Sequence, residues 1–90
     1  MNKSFTELPE SLFQSLQKES FALLHTSDAE SGHPTSNAVS WIYAVDPRRL
    51  RFSLDARSRL VENLKAHPAV CVTLFGDNSV YAVYGKARIL

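Results

Sequence analysis

Two arginines flank a serine at Arg57, Ser58 and Arg59, where the apolar stretch "RFSL" gives way to an amphipathic helix pattern. The start of a helix carries unpaired backbone N–H groups and the positive end of the helix dipole, and both attract anions. Arginine side chains add charge-assisted hydrogen bonds in a geometry that suits phosphate. The stretch therefore predicts a phosphate site. The alternative interpretation is an ordinary solvated helix start.

Other reactive residue types are present without the spacing that their chemistry needs. His25, His33 and His67 fall in a predicted strand, a loop and a helix end, so we expect no metal site. Serine, histidine and aspartate all occur, but no nucleophile-elbow motif selects a catalytic triad, and we assign no catalytic side chain. Cys71 is the single cysteine, which excludes an intramolecular disulfide and favours a reducing compartment.

Composition limits the class of protein. The 90 residues are 44% hydrophobic and 21% charged, as expected for one soluble globular domain with an ordinary core. The formal net charge of +1 gives no overall field toward nucleic acid or an anionic membrane, so any anion site must be local. The N-terminus lacks the pattern of a signal peptide, and no apolar run approaches the length of a membrane span. We therefore expect a cytoplasmic protein.

The elements that position these residues follow from the hydrophobic periodicity. We predict a helix over 8–19, strands from residue 20 onward, and a second helix over 57–67 between the third and fourth strands. This order predicts a mainly β fold with flanking helices, a small Greek-key β-barrel in one domain over 1–90. The sequence stops within an apolar strand, "KARIL", so we expect an incomplete barrel, through truncation at the C-terminus or dependence on a dimer partner.

The second predicted strand alternates between a bulky face and a mostly small face. Ser36, Ala38 and Ser40 on the small face leave room for a planar ring to lie against the backbone. The alternative is that they allow tight packing against a helix or a second subunit. Ile42 and Ala44 complete that face. The opposite, bulky face is predicted to pack in the core and comprises Asn37, Val39, Trp41, Tyr43 and Val45.

A five-stranded Greek-key barrel is also the outline of an oligonucleotide-binding fold. Such folds bind nucleic acid through aromatic and basic residues on a sheet face. Here the basic residues are balanced by nine acids and form no stripe along the strands, so nucleic acid is not the partner we expect. The aromatic residues that could stack on bases are Trp41, Tyr43, Phe52, Tyr81 and Tyr84.

Three stretches point to a specific family. They are "ALLHTSDAESGHPTSNAVSWIYA", "LRFSLDARSRLVENLKAHPAVCVTLF" and "VYAVYGKARIL", in this order and at these spacings. Together they resemble the pyridoxamine 5′-phosphate oxidase-like proteins, and the resemblance covers nearly the whole chain after the first helix. It implies an FMN-binding split barrel, a homodimer, and flavin mononucleotide (FMN) bound at the subunit interface.

The resemblance also implies which residues would bind FMN. The family typically holds the phosphate with a Ser-Arg-Lys turn, which Ser58 and Arg59 match and Leu60 does not. An arginine on the second strand is replaced by Asn37, and a hydroxyl residue at the end of the third strand by Leu54. By analogy, the flavin ring is expected along Val39, Ser40 and Trp41, with Ser53 and Leu54 on the neighbouring strand.

We therefore expect an FMN-dependent oxidoreductase of unknown small-molecule substrate. No segment matches the substrate site of the family's vitamin-pathway oxidase, so that reaction is not predicted. The alternatives are a flavin carrier or sensor, a dimeric split barrel that has lost its cofactor and acts as a binding module, and the oligonucleotide-binding fold.

Overall fold

The computed structural model describes residues 6–17, 20–55, 57–76 and 79–90, and the side chains of Ser20 and Trp41 are outside that description. Within these ranges the chain forms two helices and five strands. In chain order they are α1 (Glu10–Ser15), β1 (Ser20–Ser27), β2 (Pro34–Asp46), β3 (Arg49–Phe52), α2 (Arg59–Ala66), β4 (Ala69–Phe75) and β5 (Val80–Lys86).

The two helices are shorter than their periodicity predicts. The first, predicted over 8–19, begins at Glu10 because Pro9 occupies the N-cap position, and it ends at Ser15; positions 18 and 19 lie outside the described residues. The second, predicted over 57–67, spans Arg59–Ala66 because Ser58 caps its start and the backbone at His67 is extended. Apolar side chains on the helices and at the C-cap of α1 still face the core, namely Leu12, Leu16, Leu60 and Leu64.

The five strands form one antiparallel sheet in the order β3-β2-β1-β4-β5. Strands β1 to β3 follow one another as neighbours, and the chain then returns through α2 to place β4 beside β1. This spatial order is that of a Greek key, as predicted. The sheet is not closed into a barrel, and the architecture is that of a partial split barrel.

The sheet has two faces of different character. The inner face, which packs against the helices, includes Ala22, Leu24, Val39, Val72 and Leu74, all buried. Cross-strand partners share a face, so the register defines an opposite, outer face that the helices do not cover. The outer face comprises Phe21, Leu23, His25, Ser36, Ala38, Cys71, Thr73, Phe75, Val80, Ala82 and Tyr84.

The predicted alternation along β2 is wrong beyond Val39, because β2 contains a bulge. Ala22 of β1 pairs with Val39 and Ser20 with Ile42, so Ser40 and Trp41 together lie opposite the single residue Phe21. One extra residue exchanges the faces of all that follow. Ile42 and Ala44 are therefore buried, whereas Tyr43 and Val45, predicted to pack in the core, are exposed. Asn37 is exposed as well, near the start of the strand.

Neither helix of the described residues has the length and apolar character needed to cross a membrane.

Candidate functional site

The predicted phosphate site lies at the β3–α2 corner, which we define as residues 53–55 and 57–60. Asp55 shapes the turn: its carbonyl accepts the backbone N–H of Ser58 at 2.9 Å, and its side chain accepts the N–H of Arg57 at 2.9 Å. The Ser58 hydroxyl then accepts the N–H of Leu60 at 3.1 Å and caps the helix. Arg57, Ser58 and Arg59 therefore follow one another at the start of α2.

The side chain of Arg59, at the start of α2, contacts the loop between β1 and β2. Its Nε donates to Asp28 Oδ1 at 3.1 Å. Its Nη2 lies 3.9 Å from Glu30 Oε1, and its Nη1 lies 3.9 Å from Glu62 Oε2. At 3.9 Å these two contacts are ionic and too long for hydrogen bonds. Arg57 is more open, with a side chain 93% exposed and its Nε 3.6 Å from Asp55 Oδ1.

Asp28 organises the loop that meets Arg59. Its Oδ2 accepts hydrogen bonds from the backbone N–H of Ser31 at 2.9 Å, that of Glu30 at 3.1 Å, and the Ser31 hydroxyl at 3.1 Å. The Ser31 N–H is the main reason that the pKa of Asp28 lies well below its ordinary value, and the bond from Arg59 adds to the shift. The same contact with Asp28 raises the pKa of Arg59.

A buried polar contact that the sequence analysis missed ties this loop to α2. The side chain of Asn63, 2% exposed, accepts the backbone N–H of Ala29 at 2.8 Å and donates to the Thr26 hydroxyl at 3.3 Å. That hydroxyl lies 2.7 Å from the hydroxyl of Thr35 on β2. A buried asparagine on an apolar helix face must find such partners. In the sequence, the position of Asn63 among the apolar residues Leu60 and Leu64 is the feature that could have indicated this contact.

The residues predicted to line a flavin ring lie along β2 and just beyond β3. Val39 is buried in the core, so only its backbone is available to a ligand. Ser40 is exposed and, with Trp41, forms the β2 bulge. The Ile42–Phe52 pair is the last on that side, and Ser53 and Leu54 follow it directly. Ser40 and Trp41 therefore form the bulge itself, and Ser53 and Leu54 begin the corner that follows β3.

Three positions depart from the family's phosphate-binding pattern, and at two of them the structure explains the apolar residue by its packing in the core. Leu60, at the position of the expected lysine, is buried in the core and points away from the corner's solvent side. Leu54 packs partly buried against the same core. Asn37 is exposed, and its β1 partner is Leu24.

A second polar group lies on the outer face. His25 is flanked by two hydroxyls, with Nδ1 2.8 Å from Ser36 Oγ and Nε2 2.8 Å from Thr73 Oγ1. Both ring nitrogens are thus engaged, and Cys71 is the β4 partner of His25 in the sheet register. Among the described residues, no group of three or more His, Cys, Asp or Glu side chains is arranged to hold a metal ion.

Comparison with known proteins identifies the family. A search among curated proteins found no match. The family model described as "Pyridoxamine 5'-phosphate oxidase" matches residues 8–90, which includes both helices and all five strands. This chain is therefore a member of the pyridoxamine 5′-phosphate oxidase family, an oxidoreductase-like family that generally binds flavin.

Proposed function

We propose that this protein binds FMN, with the phosphate at the β3–α2 corner, and acts as a flavin-dependent oxidoreductase on a small-molecule substrate. One observation carries the proposal: in a member of this family, two arginines and the capping Ser58 lie consecutively at the start of an eight-residue helix. Helix N-terminal N–H groups and arginine donors are suited to a phosphate dianion.

The donors at the corner fit a phosphate group. Arg59 uses Nε for Asp28; within the described part of the chain, the contacts of its Nη1 and Nη2 are the 3.9 Å ionic ones, which leave N–H donors for a ligand. The exposed side chain of Arg57 is equally accessible. Arg57 and Arg59 would hold the phosphate through their side-chain donors, because the backbone N–H groups of Arg57, Ser58 and Leu60 are already bonded within the turn.

The flavin ring is proposed to lie along Val39, Ser40 and Trp41, with Ser53 and Leu54 next to them at the end of the neighbouring strand. A bulge leaves backbone groups outside the regular ladder, and such groups can hydrogen-bond the edge of a heterocycle. Asn37 is the remaining proposed contact, from the exposed start of β2. Bound flavin supplies the electron-transfer chemistry. The chain's own residues bind the cofactor, orient its ring and limit the access of water.

The protein is proposed to act as a homodimer through the outer face. That face exposes several large apolar side chains, of which Tyr84 is 79% and Val80 67% exposed. Phe21 and Phe75 stack on it with ring centroids 5.8 Å apart and remain about half exposed. Exposed apolar surface of this extent is typical of an interaction site.

A non-catalytic dimeric module is the second candidate. Four carboxylates, from Asp28, Glu30, Asp55 and Glu62, lie within 4 Å of the two arginines, and they oppose binding of a dianion. Under this alternative the arginines serve only to hold the loop and the turn.

The test is an FMN titration of the full-length protein, followed by quenching of flavin fluorescence. Loss of one arginine contact removes about 1.5–3 kcal/mol, so we expect Arg59→Ala to weaken FMN binding roughly tenfold or more. Arg49→Ala is the matched control, since it removes an exposed arginine whose Nε is likewise paired with an aspartate, Asp46, at 2.7 Å. Equal FMN affinity in both variants and the wild type would remove the phosphate assignment. A protein that binds no flavin would favour the second candidate.

A further inference from the structure

Two glutamates lie beside the terminal nitrogens of Arg59, the atoms proposed to bind phosphate. Guanidinium groups bind phosphate through pairs of N–H donors, and the outward pair on Arg59 is Nη1 and Nη2. Glu62 Oε2 lies 3.9 Å from the first and Glu30 Oε1 3.9 Å from the second. A phosphate bound there would therefore have a carboxylate on each side.

Neither glutamate is needed to build the corner. The loop depends on the side chain of Asp28, which accepts three hydrogen bonds from Glu30 and Ser31 in addition to that of Arg59. Glu30 contributes its backbone N–H to this network, and its side chain is largely exposed. The Glu62 side chain is also mostly exposed, on the first turn of α2. Their carboxylates act on the corner through charge alone.

We propose that Glu30 and Glu62 reduce the preference of this protein for FMN over riboflavin. Their carboxylates weaken binding of the phosphate dianion, so that the protein distinguishes little between the two flavins. This inference rests on the proposed function. Repulsion between a carboxylate and a dianion a few ångströms away acts on FMN, whereas riboflavin carries no phosphate and is unaffected. Because both side chains are exposed, solvent and salt reduce the effect without removing it.

The experiment compares FMN and riboflavin dissociation constants for the full-length wild type, Glu30→Gln, Glu62→Gln and the double variant. Glutamine keeps the size of the side chain and removes its charge. We expect FMN to bind about two- to threefold more tightly to each single variant and about five- to tenfold more tightly to the double variant. Riboflavin affinity is expected to stay within about twofold. The gain for FMN is expected to shrink in high salt, because screening already reduces the repulsion.

Glu7→Gln is the matched control, since it removes an exposed carboxylate outside the corner and the loop. Unchanged or weaker FMN binding by the double variant would overturn the inference, because the glutamates would then be neutral or would hold Arg59 in place for the ligand. An equal gain for riboflavin would overturn it too, since the effect would not act on phosphate. Absence of binding by either flavin to every variant would overturn the proposed function, and the inference with it. Flavin binding without a charge effect would overturn the inference alone.

Discussion

At the scale of single residues, the corner depends on an aspartate that lies far from it in sequence. The sequence predicts a helix over 57–67, because apolar residues recur there at helical spacing, and so it places Ser58 and Arg59 at the helix start. It does not predict that Arg59 pairs with Asp28, 31 positions earlier. Nor does it predict the contact of Asn63 with the same loop. Such partners are set by the tertiary arrangement of the loop and α2, which local patterns do not contain.

Asp28 is expected to make stability depend on pH. Its pKa in the folded protein lies below the ordinary value, mainly through the Ser31 N–H and also through Arg59, so its ionised form stabilises the fold. This contribution is complete above the unfolded pKa of about 3.9 and is lost as the pH falls below it. We predict that Asp28→Asn flattens the acid limb of a plot of urea midpoint against pH. Glu7→Gln is the control. An acid limb in Asp28→Asn as steep as that of the wild type would contradict this role.

At the scale of elements, periodicity predicts the order of helices and strands but not the irregularity in β2. Two helices and five strands occur in the predicted order, and the strands pair as a Greek key. The spacing of apolar residues is a local property of the sequence, so it is sufficient to predict the order of helices and strands. The bulge at Ser40 and Trp41 is defined only by pairing with β1, and alternation alone gives no sign of it. For this reason, the prediction of which face of β2 packs in the core is wrong beyond Val39.

The bulge also changes which residues of β2 are exposed. It turns Ile42 and Ala44 into the core while leaving Ser40 exposed beside the corner. Bulges commonly redirect side chains next to binding sites. A regular strand would have buried Tyr43 and Val45 instead, with a different surface beside Ser53.

At the scale of the whole molecule, the apolar outer face opposes the helical layer across the sheet. The inner face is covered by α1 and α2, whereas the outer face carries exposed Phe21, Phe75, Val80 and Tyr84. The polar group of His25, Ser36 and Thr73 interrupts this apolar surface in the centre of the sheet. A second copy of the chain packed there would bury surface that one copy leaves in water.

Tyr84→Asp is expected to weaken the dimer at least roughly tenfold, because a carboxylate buried without a partner in an interface is strongly unfavourable. Since Tyr84 is exposed in the single chain, the fold itself should be retained. Sedimentation equilibrium measures the change. Ser11→Asp is the control, since it adds the same charge to an exposed position on α1. A wild type that sediments as a monomer at every concentration, or a variant that dimerises equally well, would contradict this use of the outer face.

The most direct test of the central claim is to follow the backbone amide resonances of the isotopically labelled protein during titration with FMN and, separately, with riboflavin. Phosphate bound at the β3–α2 corner should shift the amides of Arg57, Ser58, Arg59 and Leu60 with FMN and leave them nearly unmoved with riboflavin, because only FMN carries the dianion. Saturable FMN binding that leaves these four amides in place would contradict the account.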